Sequence, residues 1–380
     1  MKICFVLEHF YPHIGGVEVL FFELGKRLVA SGHEVRIVTS DSGGIVGTRE
    51  YSGMHAFYYR SPNIFGHPVL PKASVEEHVM WADIVHTTTY TAAPTAIALA
   101  RSSRKPCVIS VHEAIGKKWF VVEPNPLKAL AFLAFEWFVV TKRYSAWHTI
   151  SDATTRDLLA YGIDPDRIRM IHLGIDETLW NKDVRPADIA SFFKTDPHDK
   201  IFLYTGRPGK PKGLPVLLQA IRKVDASLDP SFVFGFILSK NPRTERERFE
   251  QSVRASGLTD RIRIIDSVPY DALPGIRKAA FAVIVPSLTE GFGFSAAETA
   301  ALGTPVIASD AGSLPEVLGG KVRFFRKGDA DDLVATILES ARKPFPELPE
   351  KRFSWDDTSV RLLALYSDLV ETSTLPKEEK

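Results

Sequence analysis

Cysteine is nearly missing from the chain. Cys4 and Cys107 are the only two, each inside an apolar strand-like run. A disulfide framework or a cysteine zinc site is therefore not expected, and a reducing, cytosolic setting is the default. Net charge is also nearly nil: 47 lysines and arginines against 46 acidic residues leave +1. That excludes the global electrostatic footprint of a nucleic-acid binder, so any basic chemistry must be local. No apolar run reaches the roughly 20 residues of a bilayer span. The opening MKICFVLEHFYP is too short in its apolar part for a secretory signal and reads as a first buried strand. The best membrane candidate, LKALAFLAFEWFVV at 127–140, is broken by Lys128 and Glu136. It reads as a core helix of the first domain, or as an interfacial helix whose Phe132, Phe135, Trp137 and Phe138 meet lipid. Repeats and low-complexity tracts are lacking, as is a G-x-G-x-x-G fingerprint: GFGFSA at 291–296 has no third glycine and follows the wrong strand.

What is present is alternation. A hydrophobic fraction of 45% over 380 residues suits two globular domains. The first half reads KICFVL, a helix from Gly16 to about Ala30, HEVRIVT, helices near Val75 to Ala82 and Ala92 to Ala100 with DIVHT between them, then PCVISV. A helix over Leu127 to Tyr144, strand AWHTI and a helix capped by Ser151 follow. The second half reads IFLYT, helix Leu214 to Val224, FVFGFIL, helix Thr244 to Ser256, IRII, a short helix at Asp271 to Lys278, FAVIV, helix Phe294 to Ala301, TPVIAS and helix Ala330 to Arg342. A final amphipathic helix covers about Asp357 to Val370. Continuous β-branched strands between helices predict two doubly wound parallel sheets, with a hinge near His172 to Asp176.

Open α/β sheets bind ligands beyond the carboxyl ends of their strands, so the two halves are expected to enclose a cleft lined by loops of both. The richest such loop is PSLTEGFGFSAAETAALGTPVIASDAGSLP at 286–315, where Glu290 and Glu298 bracket Gly291 and Gly293 at a strand-to-helix junction. Two carboxylates there are compatible with hydrolysis, metal binding or hydroxyl recognition. The loop TGRPGKPKG brings Arg207 and Lys212 among glycines to the same rim, which suits a diphosphate better than a solvated turn. In the first half, Gly15 and Gly16 put bare amides at a helix start, a second phosphate-compatible spot. His112 follows strand PCVISV, suited to a hydrogen bond or proton transfer and equally to a structural role. Metal motifs are poor: Asp164 and Asp166 sit in a turn, and Asp329 to Asp332 open a helix where carboxylates favour the dipole.

These residues, taken in order, resemble the retaining glycosyltransferases of family four over nearly the whole chain. The resemblance rests on GGVE, the strand-end His112, HLGID, GRPGKPKG, the Glu290-x7-Glu298 pair in EGFGFSAAE, GTPVIASDAGSLPEV and the terminal FSWDD helix. It implies a GT-B fold: two Rossmann-like domains facing across a cleft, with the C-terminal helix crossing back to the first. Residues 1–172 with helix 357–380 would be the acceptor-side domain and 173–356 the nucleotide-sugar domain. It implies transfer of a sugar from a UDP- or GDP-linked donor to a hydroxyl acceptor with retention, without a metal or other cofactor. Arg207 and Lys212 would hold the diphosphate, Glu298 the ribose, and Glu290 with the backbone of Gly291, Phe292, Gly293 and Phe294 the donor sugar. Gly16, beside Gly15, would approach the phosphates and His112 the reacting carbon, so His112, Glu290, Arg207 and Lys212 form the expected catalytic set. The chain departs from the family in Pro211 before Lys212, and in GFGFSAAE for the common GFGLPPLE, where Phe294 and Ser295 point to altered donor preference. The long loop HEAIGKKWFVVEPNP, with Trp119 and Phe120, is expected to serve the acceptor, a glycan or lipid-linked glycan. Alternatives are a nucleotide-sugar epimerase of the same fold and a non-catalytic sugar-binding module. Expected partners exclude nucleic acid, and the expected location is cytoplasmic, with peripheral membrane contact through 127–140.

Overall fold

The computed structural model describes residues 1–13, 15–41, 44–64, 67–123 and 125–374, so the end of the expected 357–380 segment lies outside the described residues. The chain forms two compact units, one of residues 1–174 with 353–380 and one of residues 175–352.

The first unit is built on an eight-stranded sheet. Its strands are β1 (Lys2–Val6), β2 (Glu34–Ser40), β3 (Gly47–Tyr51), β4 (Met54–Tyr59), β5 (Ile84–Thr88), β6 (Cys107–Val111), β7 (Ala146–Thr149) and β8 (Ile168–Met170), in the order β8-β7-β6-β5-β1-β2-β4-β3. All neighbours are parallel except the edge hairpin of β3 and β4. That hairpin turns on Ser52 and Gly53, both at positive φ (51° and 81°), the backbone of a two-residue primed turn. Helices α1 (Gly16–Ala30), α2 (Lys72–Trp81), α3 (Ala92–Ser102), α4 (Pro126–Val140) and α5 (Asp152–Leu159) connect the strands. Strands β5, β6 and β7 are buried along their whole length, and their polar members His86, Ser110 and His148 are buried with the apolar ones.

The second unit holds a seven-stranded sheet of β9 (Lys200–Gly206), β10 (Phe232–Leu238), β11 (Ile262–Asp266), β12 (Ala282–Val285), β13 (Val306–Ser309), β14 (Gly320–Phe325) and β15 (Glu347–Leu348). Its order is β11-β10-β9-β12-β13-β14-β15, parallel except for β15. The connecting helices are α6 (Leu214–Val224), α7 (Arg243–Ser256), α8 (Leu273–Ala279), α9 (Phe294–Ala301) and α10 (Ala330–Arg342). Strand order reverses between β9 and β12, so the loops leaving these two strands flank a topological switch point. In the first unit the same reversal falls between β1 and β5.

The last helix, α11 (Trp355–Thr374), returns to the first unit. Its Leu362 and Tyr366 are fully buried, Arg27 of α1 pairs with Asp356, and Thr358 Oγ1 donates to the His172 carbonyl at 2.8 Å. Where the two segments cross there is no room for a side chain: a Cβ on Gly174 would stand 2.2 Å from the Trp355 nitrogen.

Candidate active site

At the switch point of the second unit, β9 ends in the basic loop and β12 in the acidic one, and the two are laced together. Leu288 N–H donates to the Pro211 carbonyl at 2.8 Å. Gly213 has φ +72°, and a Cβ there would lie 1.7 Å from the Pro286 oxygen, so only glycine allows this approach. The lacing puts Lys212 Nζ 3.0 and 2.9 Å from the two oxygens of Glu290, with Ser287 Oγ donating to the second at 2.9 Å. Arg207 is exposed on the same loop, and its carbonyl accepts from the Tyr204 hydroxyl at 3.0 Å. Gly293, with φ +88°, leads into α9, whose Ala296 and Ala297 amides bond its carbonyl. Glycine, two cations and a helix N-terminus make a surface that can hold a diphosphate, and Glu290 can accept from a hydroxyl once Lys212 turns to an anion.

Glu298, one turn into α9, has other partners. Arg277 Nη1 lies 2.7 Å from one oxygen and the Tyr270 hydroxyl 2.9 Å from the other. Arg277 also reaches Thr205 Oγ1 at 3.1 Å and stacks 4.7 Å over the Trp180 ring, whose Nε1 donates to Tyr270. Glu298 is 7% exposed, and burial raises its pKa against the pull of Arg277 and Tyr270. Each carboxylate oxygen retains a second lone pair, so a ribose hydroxyl can still be received. Sequence reasoning gave no role to Trp180, Tyr270 or Arg277. The one available signal was a lone arginine inside the apolar helix LPGIRKA.

The remaining expected residues lie in the first unit. His112 directly follows β6; its Nε2 is buried with no hydrogen-bond partner, and burial, helped by nearby His148, pushes its pKa down to about 3. The ring is thus held neutral, and the hydrogen-bonding capacity of Nε2 is unused among the described residues. Gly15 is the extended residue before α1. The Glu18 carboxylate packs against it, one oxygen taking the His13 Nδ1 hydrogen bond at 2.8 Å and the other 2.7 Å from where a Gly15 Cβ would stand. The start of α1 therefore already faces an acidic side chain beside Gly15 and Gly16. Trp119 Nε1 bonds Glu136 at 3.2 Å, and Phe120 is 49% exposed. The doubtful metal motifs are caps: Asp164 accepts from the Asp166 amide, and Asp329 from those of Asp331 and Asp332, all at 3.0 Å. Among the described residues no group of three or more His, Cys, Asp or Glu is arranged to hold a metal.

Two family models match the chain: Glycosyltransferase Family 4 over residues 14–179, and Glycosyl transferases group 1 over residues 188–354. A phosphatidylinositol N-acetylglucosaminyltransferase polypeptide from Arabidopsis thaliana is 24% identical over 98% of this chain and 83% of its own length. D-inositol 3-phosphate glycosyltransferase from Corynebacterium glutamicum is 30% identical over 57% of this chain and 56% of its own. Among solved structures, sucrose-phosphate synthase from Thermosynechococcus elongatus superposes with a TM-score of 0.76 at 20% identity, covering 98% of this chain and 100% of that one. Anabaena HepE in complex with UDP and glucose gives 0.75 at 17% identity, covering 97% and 99%.

Proposed function

Since the chain belongs to glycosyltransferase family four, with the GT-B fold and the nucleotide-sugar donors of such enzymes, we propose that it transfers a sugar from a UDP- or GDP-linked donor to a hydroxyl with retention. The observation that carries this reading is the Lys212 and Glu290 pair at the β9/β12 switch point, with Arg207 exposed on the same loop as Lys212. Breaking the anomeric carbon–oxygen bond leaves new negative charge on the diphosphate. Arg207, Lys212 and the α9 N-terminus stabilise that charge, without need of a metal or other cofactor. Lys212 exchanges its contact with Glu290 for the phosphates. Glu290, with the 291–294 backbone, then receives the hydroxyls of the donor sugar, and Glu298 shares its free lone pairs with the ribose. Neutral His112 offers Nε2 to a hydroxyl of the sugar, and Gly15 and Gly16 bring amides toward the phosphates. The acceptor hydroxyl attacks from the face that the diphosphate leaves, and its proton passes to the departing phosphate oxygen, which has taken the electron pair of the broken bond.

The acceptor is proposed to be a glycan or a lipid-linked glycan, met on the cytoplasmic side of a membrane; the lipid in the Arabidopsis relative's name supports the lipid-linked choice. Proton NMR of the purified chain with UDP- and GDP-sugars and a panel of lipid-linked acceptors tests the reading. An α-linked donor should give an α-linked product. An inverted product would refute retention; donor isomerised without acceptor would indicate an epimerase; no binding of any nucleotide-sugar would sink the proposal.

A further inference from the structure

In α4 the usual polarity of a surface helix is reversed. Its one acidic residue, Glu136, is 1% exposed, whereas Leu127 is 78%, Leu130 55%, Trp137 57% and Phe138 43% exposed. Those four positions, with Ala131 and Ala134 between them, fall at three- and four-residue spacings on one stripe of the helix. An apolar stripe normally faces a core; this one faces outward. Glu136 is turned inward for a reason visible in its contacts. It accepts from the Ile115 amide at 2.8 Å, the Gly116 amide at 2.7 Å, Trp119 Nε1 and the Tyr161 hydroxyl. The helix therefore grips the loop that leaves His112.

The outward charges on α4 and on the turn that follows it are all of one sign. Lys128 and Arg143 are exposed, and Lys142 Nζ sits 3.5 Å over the Phe138 ring. Apart from the inward Glu136, no acidic residue occurs between 126 and 143. A second copy of the chain seated on this face would bring those cations against their own kind. Anionic headgroups would neutralise them while the acyl boundary takes the apolar stripe. The helix is not long and apolar enough to cross a membrane.

We propose that α4 docks in the plane of an anionic lipid bilayer through Leu127, Leu130, Trp137 and Phe138, and that Glu136 fixes the loop after His112 to the docked helix. A helix is about 10 Å across, so that loop lies within about one helix diameter of the lipid. Resting on the transferase reading above, this narrows the acceptor to one whose reacting hydroxyl lies at headgroup depth.

Flotation of the full chain with phosphatidylcholine vesicles, with and without phosphatidylglycerol, tests the docking. Binding is expected only with phosphatidylglycerol, weakening as salt rises. Trp137→Glu with Phe138→Glu should lower the partition coefficient by about tenfold or more, and Lys128→Glu with Lys142→Glu should remove the preference for the anionic lipid. Glu136→Gln should float like the parent but show faster hydrogen exchange at the Ile115 and Gly116 amides. Absence of flotation, flotation unaffected by the Trp137 and Phe138 changes, or a dimer in solution that those changes dissociate would overturn the docking. Unchanged exchange in Glu136→Gln would overturn the coupling. Calorimetric nucleotide binding on the same variants separates this from a failure of the transferase reading, because no donor-site residue is altered.

Discussion

Lys212 and Arg277 each pair with a glutamate of the same loop-and-helix segment, yet their surroundings give the pairs opposite meanings. Lys212 is 37% exposed in its side chain, so its ion pair with Glu290 contributes only about 0–1 kcal/mol to folding. In the proposed donor site its value lies in being available to a phosphate, a charge-assisted contact of about 1.5–3 kcal/mol. Lys212→Ala should therefore weaken nucleoside diphosphate binding roughly tenfold to a hundredfold while leaving the melting temperature almost unmoved. Arg277 is 4% exposed, and its removal strands Glu298 as a buried, unpaired carboxylate. Arg277→Met is expected to cost about 3–5 kcal/mol in urea unfolding. Equal effects of the two changes on stability would refute the distinction. The Lys212 and Glu290 positions could be singled out in the sequence because each is near glycines at a strand end, where composition itself is unusual. Arg277 could not: its partners Thr205, Trp180 and Glu298 are scattered in sequence, and only folding joins them.

Three strands and the last helix of the first unit share a polar chain whose direction can be worked out from its end. His148 Nε2 faces the Ile171 carbonyl at 2.9 Å, so that nitrogen carries the proton and Nδ1 must accept. Ser110 then donates to His148 Nδ1 (2.7 Å) and accepts from His86 Nε2 (2.8 Å), which leaves His86 Nδ1 to accept from the Tyr366 hydroxyl. Every group is satisfied only while both rings are neutral. Burial pushes the His148 pKa down to about 4, with Arg361 adding to the effect, and holds His86 well below its ordinary value. Because these folded values lie below the unfolded 6.5, the unfolded chain binds more protons in acid. The contribution to stability is whole above pH 6.5 and is lost as pH falls toward 4. At pH 5, His148 alone should cost about 2 kcal/mol. Hydrogen exchange across this range should speed up first in β5, β6 and β7; uniform loss over both units would contradict the assignment. The elements themselves were largely legible. Helices Gly16–Ala30, Leu214–Val224, Phe294–Ala301 and Ala330–Arg342 run as the sequence predicts, since glycine, proline or aspartate marks their starts. The β3/β4 hairpin was not, because its turn is Ser-Gly rather than Asn-Gly and β3 is almost wholly exposed, which removes the apolar signal.

At the scale of the molecule, the last twenty-residue helix belongs to the unit that the chain begins with, not the one it has just left. Arg361 Nη2 donates to the Met170 carbonyl at 2.9 Å and Thr358 to that of His172, so α11 secures the stretch just past β8. Its Leu362 and Tyr366 are wholly buried, and Tyr366 begins the histidine chain. Hydrophobic periodicity revealed this helix as amphipathic, but it could not say which sheet would receive the apolar face; the expectation that it crosses back came from the family resemblance. The charged side chains of the proposed donor site, by contrast, come from one unit: Arg207, Lys212, Arg277, Glu290 and Glu298 all lie within residues 175–352. Damage to α11 should therefore separate stability of the first unit from nucleotide affinity. Leu362→Ala leaves a cavity whose cost is about 2–5 kcal/mol, and hydrogen exchange should show that loss in residues 1–174. Calorimetric titration with UDP or GDP at a temperature where the variant remains folded should give the affinity of the parent chain. An affinity that falls markedly with Leu362→Ala would mean that the amides proposed at Gly15 and Gly16, rather than the charges of Arg207 and Lys212, carry most of the nucleoside diphosphate binding.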